Sequence, residues 1–330
     1  MRLHALSLPI VLGLAPLSAL ADVPKVITGT PVTQSLVAQV MGDLGTPDVI
    51  LDQGGDLHHY QMRPSKARSL QEADLVVWIG PELTPWLERA LRNTDESAQL
   101  SLLHSAGTKL RAYADGEHEH EHDAHEHEHD EHEHDEHGHD HDHDHDHDAG
   151  EEEHHHTGTD PHAWLNPENA VTWVGVIADR LASADPDNAE TYQQNAANAA
   201  ENIKALDQKI AQELAPVADK PFAVFHAAYG YLAQRYDLTI AGSLSLGDAA
   251  TPGAAHVQEL RDTMQDNHVV CAFPEAQHDP KQLQLLVDGT VVHLGGALDP
   301  SGSSLDYGAD LYPELMQDLA DTLTECLNKA

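Results

Sequence analysis

Ala73-Asp74-Leu75-Val76-Val77-Trp78-Ile79-Gly80-Pro81-Glu82 holds five consecutive apolar residues, closed on one side by Asp and on the other by Gly-Pro. A run without polar alternation predicts a strand buried on both faces. Helical patterns flank it, from Arg63 to Gln71 and from Glu82 to Leu91. Upstream, Val26-Ile27-Thr28 precedes a helix over Val32 to Met41, and Val49-Ile50-Leu51 precedes Gln53-Gly54-Gly55; downstream lies Leu100 to Leu103. Doubly buried strands separated by helices define a parallel α/β sheet. The rhythm returns in Phe222-Ala223-Val224-Phe225, Leu238-Thr239-Ile240, Val269 to Phe273 and Val291 to Leu294, with helices over Ala227 to Arg235, Ala255 to Gln265 and Gln282 to Val287. Between the two sets runs a stretch rich in helix formers, Asn188 to Leu214, bounded by Pro186 and Pro216. Its apolar residues Tyr192, Ala196, Ala199, Ile203, Leu206 and Ile210 step by three and four. The expected fold is α/β: two parallel-sheet α/β lobes joined by one long rigid helix. The boundaries read as 22–185, 186–215 and 216–330, after a leader at 1–21.

The leader resembles a secretory signal. Arg2 and His4 open it, Ala5 to Leu17 is mostly apolar, and Ala19-Leu20-Ala21 forms an A-x-A cleavage site. Pro9 and Pro16 interrupt the run, which is short for a membrane span. Export to the periplasm is expected. In an oxidising compartment the two cysteines, Cys271 and Cys326, form a plausible disulfide.

From Asp115 to His156 the chain carries seventeen histidines and twenty acidic residues, with no Lys, Arg, Val, Ile, Leu, Phe, Tyr or Trp. Nothing in this stretch (115–156) builds a core, so the cost of ordering it goes unmet. What it offers is imidazole and carboxylate, ligands that borderline cations such as Zn²⁺ accept. His118, His120, His122, His139, His141, His143, His145 and His147 are candidates for many overlapping sites of modest affinity. The formal charge is −39; without the twenty tract acids, thirty-six acidic residues still face seventeen basic ones. Nucleic acid and anionic membrane are poor partners for such a surface.

Ten histidines lie outside the tract. Three occupy loops beyond strand ends or helix starts, where open α/β sheets place their sites. His58 sits in Gly54-Gly55-Asp56-Leu57-His58-His59-Tyr60, after a strand and two glycines. His162 sits in Asp160-Pro161-His162-Ala163-Trp164-Leu165-Asn166-Pro167, with Asn166 as N-cap and Pro167 opening a helix. His226 ends the strand Phe222 to Phe225. His104, His256, His268, His278 and His293 read as structural. Zinc takes neutral imidazoles tetrahedrally, with carboxylate or water as the fourth ligand. Asp299, in Gly295-Gly296-Ala297-Leu298-Asp299-Pro300, is the candidate carboxylate; water is the other. Ligands drawn from both segments place the ion in the cleft between lobes.

These motifs together resemble the ZnuA-like family of metal-binding solute-binding proteins, periplasmic components of bacterial zinc ABC importers. The match is carried by His58-His59-Tyr60-Gln61-Met62-Arg63-Pro64-Ser65, Ala73 to Glu82, Asp160 to Leu165, Phe225-His226-Ala227-Ala228-Tyr229-Gly230-Tyr231 and Leu298-Asp299-Pro300. The resemblance implies two lobes bridged by a rigid helix and a metal at their interface, bound by His58, His162 and His226. His59 stands where Asp is common, and Leu57 where some zinc members carry Glu, so that ligand is absent and Asp299 or water completes the set. The His/acid insertion resembles the loop of the zinc members and argues against manganese members.

The expected function is extracytoplasmic capture of Zn²⁺ and delivery to an ABC permease membrane subunit with its cytoplasmic ATPase. The chain is expected to be a monomer and not an enzyme. A manganese or other divalent-metal protein, or a metal buffer, is the alternative. A zinc hydrolase is weaker, because G-x-S-x-G is absent and no H-E-x-x-H occurs outside the His/acid tract.

Overall fold

A computed structural model describes residues 23–113, 158–245 and 253–329. The first lobe runs β1 (Val26–Thr28), α1 (Pro31–Met41), β2 (Asp48–Val49), α2 (Pro64–Gln71), β3 (Leu75–Trp78), α3 (Pro85–Leu91) and β4 (Gln99–Ser101). Two long helices follow, α4 (Pro167–Ala184) and α5 (Ala189–Leu214). The second lobe runs β5 (Phe222–His226), α6 (Gly230–Tyr236), β6 (Ile240–Ser245), α7 (Ala254–Asp266), β7 (Cys271–Phe273), α8 (Lys281–Val287), β8 (His293–Leu294) and α9 (Leu311–Leu327). Proline opens α1, α2, α3 and α4, where its fixed φ suits the first turn and its missing N–H costs nothing.

Both sheets are parallel and share one order: β2-β1-β3-β4 and β6-β5-β7-β8. The β3 residues divide as a doubly buried strand requires. Val76 and Trp78 join an outer cluster with Ile27, Leu70 and Leu87, while Leu75 and Val77 face the main core. That core is continuous from Val37 and Val77 through Ile203 to Tyr229 and Leu315, so apolar packing runs across both lobes.

α5 is the spine: 26 residues, about 39 Å at 1.5 Å per residue. It packs on α1, α4 and α9. Tyr192, Ala196, Ala199, Ile203, Ile210 and Leu214 are buried as the periodicity requires. One position differs from the sequence reading. Asp207, not Leu206, lies deepest on that turn, because the Arg235 guanidinium takes both carboxylate oxygens and Tyr236 donates to one. α4 was foreseen only at its start. It runs 18 residues alongside α5, so the bridge between lobes is a helix pair.

Strand bounds also shift. The run read at Leu238 to Ile240 becomes β6 from Ile240, since Leu238 is bonded back to Ala233 at the end of α6. Cys271 and Cys326 are disulfide-bonded, with Cα atoms 6.3 Å apart, tying β7 to α9. No helix among the described residues is long and apolar enough to cross a membrane. The leader and the tract histidines His118, His120, His122, His139, His141, His143, His145 and His147 lie outside the described residues.

Candidate metal centre

In the second sheet the chain leaves β5 for β6 on one side and returns to β7 on the other. Such a reversal opens a crevice at the carboxyl ends of the two central strands. His226 is the last residue of β5, and Glu275 lies two residues past β7. Their side chains meet: His226 Nδ1 is 2.5 Å from Glu275 Oε2, with both groups buried. With Nδ1 held by the carboxylate, Nε2 is the nitrogen left to address a metal.

His162 is held the same way. It caps a short 3₁₀ turn, Ala163–Leu165, ahead of α4. Asp160 Oδ1 accepts the His162 backbone N–H at 3.0 Å and pairs with Nδ1 at 2.9 Å. Arg111 bonds the other oxygen of Asp160 at 2.9 Å, and the Tyr231 hydroxyl donates to the Asp160 carbonyl at 3.1 Å. A side chain at Gly230 would place its Cβ 2.1 Å from the Arg111 guanidinium. The glycine after Tyr229 thus lets Arg111 reach Asp160. His162 Nε2 is buried with no hydrogen-bond partner among the described residues, an arrangement costing about 1–3 kcal/mol unless a ligand relieves it.

His58 arrives differently, on a loop after β2. Gly54 supplies the positive φ of 74° that a side chain resists. Asp56 Oδ1 accepts the backbone N–H groups of His58 at 2.8 Å and His59 at 3.2 Å. Trp86 Nε1 donates to the Leu57 carbonyl at 2.8 Å. Burial, then the Asp52 carboxylate, push the Tyr60 phenol up to about 12, so it stays a donor to Asp52 (2.9 Å). The loop is also bonded across the cleft: Gln277 Nε2 donates to the Gly55 carbonyl and the Gly54 N–H to the Ser303 carbonyl.

The three rings converge. Centroids are 5.4 Å apart for His162 and His226, 5.7 Å for His58 and His162, and 6.4 Å for His58 and His226. One nitrogen from each lies within 4.8 Å of the others. Two ligands on a tetrahedral zinc are about 3.4 Å apart, given Zn–N of about 2.05 Å. The donors therefore need only a small contraction. The cavity between them has a volume of about 20 Å³ and is also lined by Asp56, Glu275 and His278; a single water needs about 10–15 Å³. That space is on the scale of an ion or a water molecule.

Asp299, the candidate fourth ligand, is not in this group. Its oxygens accept from the Ser301, Ser303 and Ser304 hydroxyls and backbone N–H groups, at 2.6–3.4 Å. Burial would raise its pKa, but the hydrogen bonds from Ser304, Ser301 and Ser303 outweigh that and hold it below the usual carboxylate range. Its place is the organisation of the loop after Leu298. Leu57 belongs to the main core and offers no side-chain oxygen. Glu275 and the grip of Asp160 on the ring do not emerge from the sequence; His278, read there as structural, lines the same cavity. An acid just past a central strand was the available signal for Glu275.

Two lobes, a helical bridge and an imidazole cluster in the cleft define a metal-binding solute-binding protein. Residues 26–326 match the family described as "Zinc-uptake complex component A periplasmic". The chain is 54% identical over 327 residues to the high-affinity zinc uptake system protein ZnuA of Paracoccus denitrificans (strain Pd 1222), covering 99% of this chain and 98% of that protein. It is 38% identical over 325 residues to the same-named protein of Haemophilus influenzae, covering 96% and 95%. This chain belongs to the ZnuA family. A ZnuA crystal structure shares the fold at TM-score 0.69 and 22% identity, over 93% of this chain and 100% of that one. So does a manganese-bound periplasmic metal-binding protein from candidatus liberibacter asiaticus, at 0.71 and 19%, over 92% and 99%.

Proposed function

We propose that the chain captures Zn²⁺ outside the cytoplasm through His58, His162 and His226, with water as the fourth ligand. It then hands the ion to an ABC permease driven by a separate ATPase. The observation that carries this reading is the set of three imidazole nitrogens within 4.8 Å of one another. Imidazole-rich sites suit zinc, whereas carboxylate and water suit manganese. Asp160 and Glu275 each hold a ring by Nδ1, fixing tautomer and direction and raising basicity. The ion is cargo, so the role is binding and release without turnover.

Two sequence features extend the proposal. The leader delivers the chain to the periplasm, and the tract gathers metal at low affinity and raises its concentration near the cleft. The family relatives, named for high-affinity zinc uptake, support the assignment. Calorimetric zinc titration of a chain lacking residues 116–156, against the same chain with His226→Ala, is the test. One tight site that disappears in the variant is expected; retention of that site would refute the cleft assignment. If deleting the tract leaves zinc stoichiometry and transfer unchanged, the collector role is lost.

A further inference from the structure

A zinc ion held by three imidazoles has shed most of its hydration shell. On its way in, the cation must exchange waters for protein ligands. Among the residues lining the cavity, His278 is the one imidazole outside the central three. Its side chain is 31% exposed, against 7% for His226 and 2% for His162, which places it on the solvent side.

The ring is held in position. It stacks on Phe225 with centroids 4.2 Å apart and planes 18° from parallel. The His278 backbone N–H bonds the Glu275 carbonyl at 3.2 Å, closing a tight turn. Within that turn Gln277 is anchored to Gly55 and Ser301. His278 Nε2 then stands 3.9 Å from Glu275 Oε2, the oxygen that also holds His226. That gap is too long for a hydrogen bond. It is near the separation of about 3.4 Å between two ligands of a tetrahedral zinc. The His278 and His226 centroids are 6.5 Å apart.

The geometry points to His278, with Glu275, as a transit site that takes a divalent cation at the cleft mouth and passes it to the three buried histidines. Each step is ligand exchange: one water leaves as one imidazole nitrogen or carboxylate oxygen binds, with no change of oxidation state. Glu275 is the shared group, since its Oε2 stands 3.9 Å from His278 on the outside and bonds His226 within. The inference rests on the cleft being the zinc site. A transit ligand lowers the barrier in both directions, so its loss slows entry and exit together. A ligand of the held ion acts mainly on exit.

The test is stopped-flow mixing of the full exported chain with Zn²⁺ alone, followed by tryptophan fluorescence. Trp164 reports the cleft, its ring lying 5.3 Å from that of His162. Dissociation is read by adding a chelator. In His278→Ala and His278→Gln, association and dissociation should both slow by about tenfold, so that Kd moves far less than either rate. An unchanged association rate overturns the transit role, as does a weaker Kd carried by faster dissociation. His226→Ala in the same assay should lose the fluorescence change. If it retains the change, the cleft assignment has failed, separately from the role of His278.

Discussion

His162 and His226 are buried, each with a carboxylate on Nδ1, whereas His58 is half-buried on a loop outside regular structure. The first two belong to the frame. One ends a central strand and the other caps the turn before α4, and both rings have their direction set before any ion arrives. His58 depends on Asp56, Trp86 and bonds across the cleft to Gln277 and Ser303. The contrast teaches how a cleft can hold a cation tightly and still let it go. On the proposed assignment, two ligands would supply a preformed half-site, and the third, on a loop bonded to both lobes, would complete it.

The contrast can be broken most forcefully at the frame. Replacing His226 with Ala should weaken zinc binding by well over about 100-fold, because outer partners alone are worth 10–100-fold; His58→Ala should cost less. Calorimetry on chains lacking residues 116–156 ranks the two, and an equal or larger loss at His58 would invert the comparison. Next in size are the carboxylates. Glu275→Gln and Asp160→Asn should each weaken binding by about 10–100-fold, and by similar amounts, if holding Nδ1 is their role. Competition with a zinc chelator measures both.

Further out, Arg111→Met removes the partner of Asp160 while leaving the carboxylate on His162. A loss of about tenfold or less is expected, at the low end of the range for outer partners. The same titration should show Gly230→Ala behaving alike, since its methyl would displace the Arg111 guanidinium. The smallest effect on metal belongs to Asp299→Asn, which should shift Kd by less than about threefold if this carboxylate organises a loop. Its effect is on folding instead, about 1–3 kcal/mol for hydrogen bonds left unmade. Because the native carboxyl is held below its usual range, that stability is present at neutral pH and lost as pH falls below the usual carboxylate range. Urea unfolding at pH 7 and pH 3 should show the wild type and variant converging in acid.

Much of this was legible in the sequence because it rests on local patterns. Five apolar residues at Leu75 to Ile79 announce a doubly buried strand, and the three- and four-residue steps from Tyr192 to Ile210 announce the spine. His162 and His226 stand at a helix start and a strand end, and such boundaries are where open sheets place ligands. What escaped depends on pairs distant in sequence. Glu275 meets His226 only because β5 and β7 are neighbours in the sheet. Arg111 meets Asp160 only where the chain lacks a side chain at Gly230. Asp207 lies deeper than Leu206, which still packs on the core, because Arg235 waits opposite. Its place after the last strand makes Asp299 a candidate for the fourth ligand, beside water. The serines at 301, 303 and 304 carried the other signal, since an aspartate followed by several short donors builds its own turn.

The central claim is that three imidazoles from separate stretches of chain share one cation. Anomalous diffraction at the zinc edge from zinc-loaded crystals tests it most directly. The account predicts one strong peak in the cleft, about 2.0–2.1 Å from a nitrogen of each of His58, His162 and His226. A cleft without that peak, or an ion bound there by fewer than three of these rings, would contradict it.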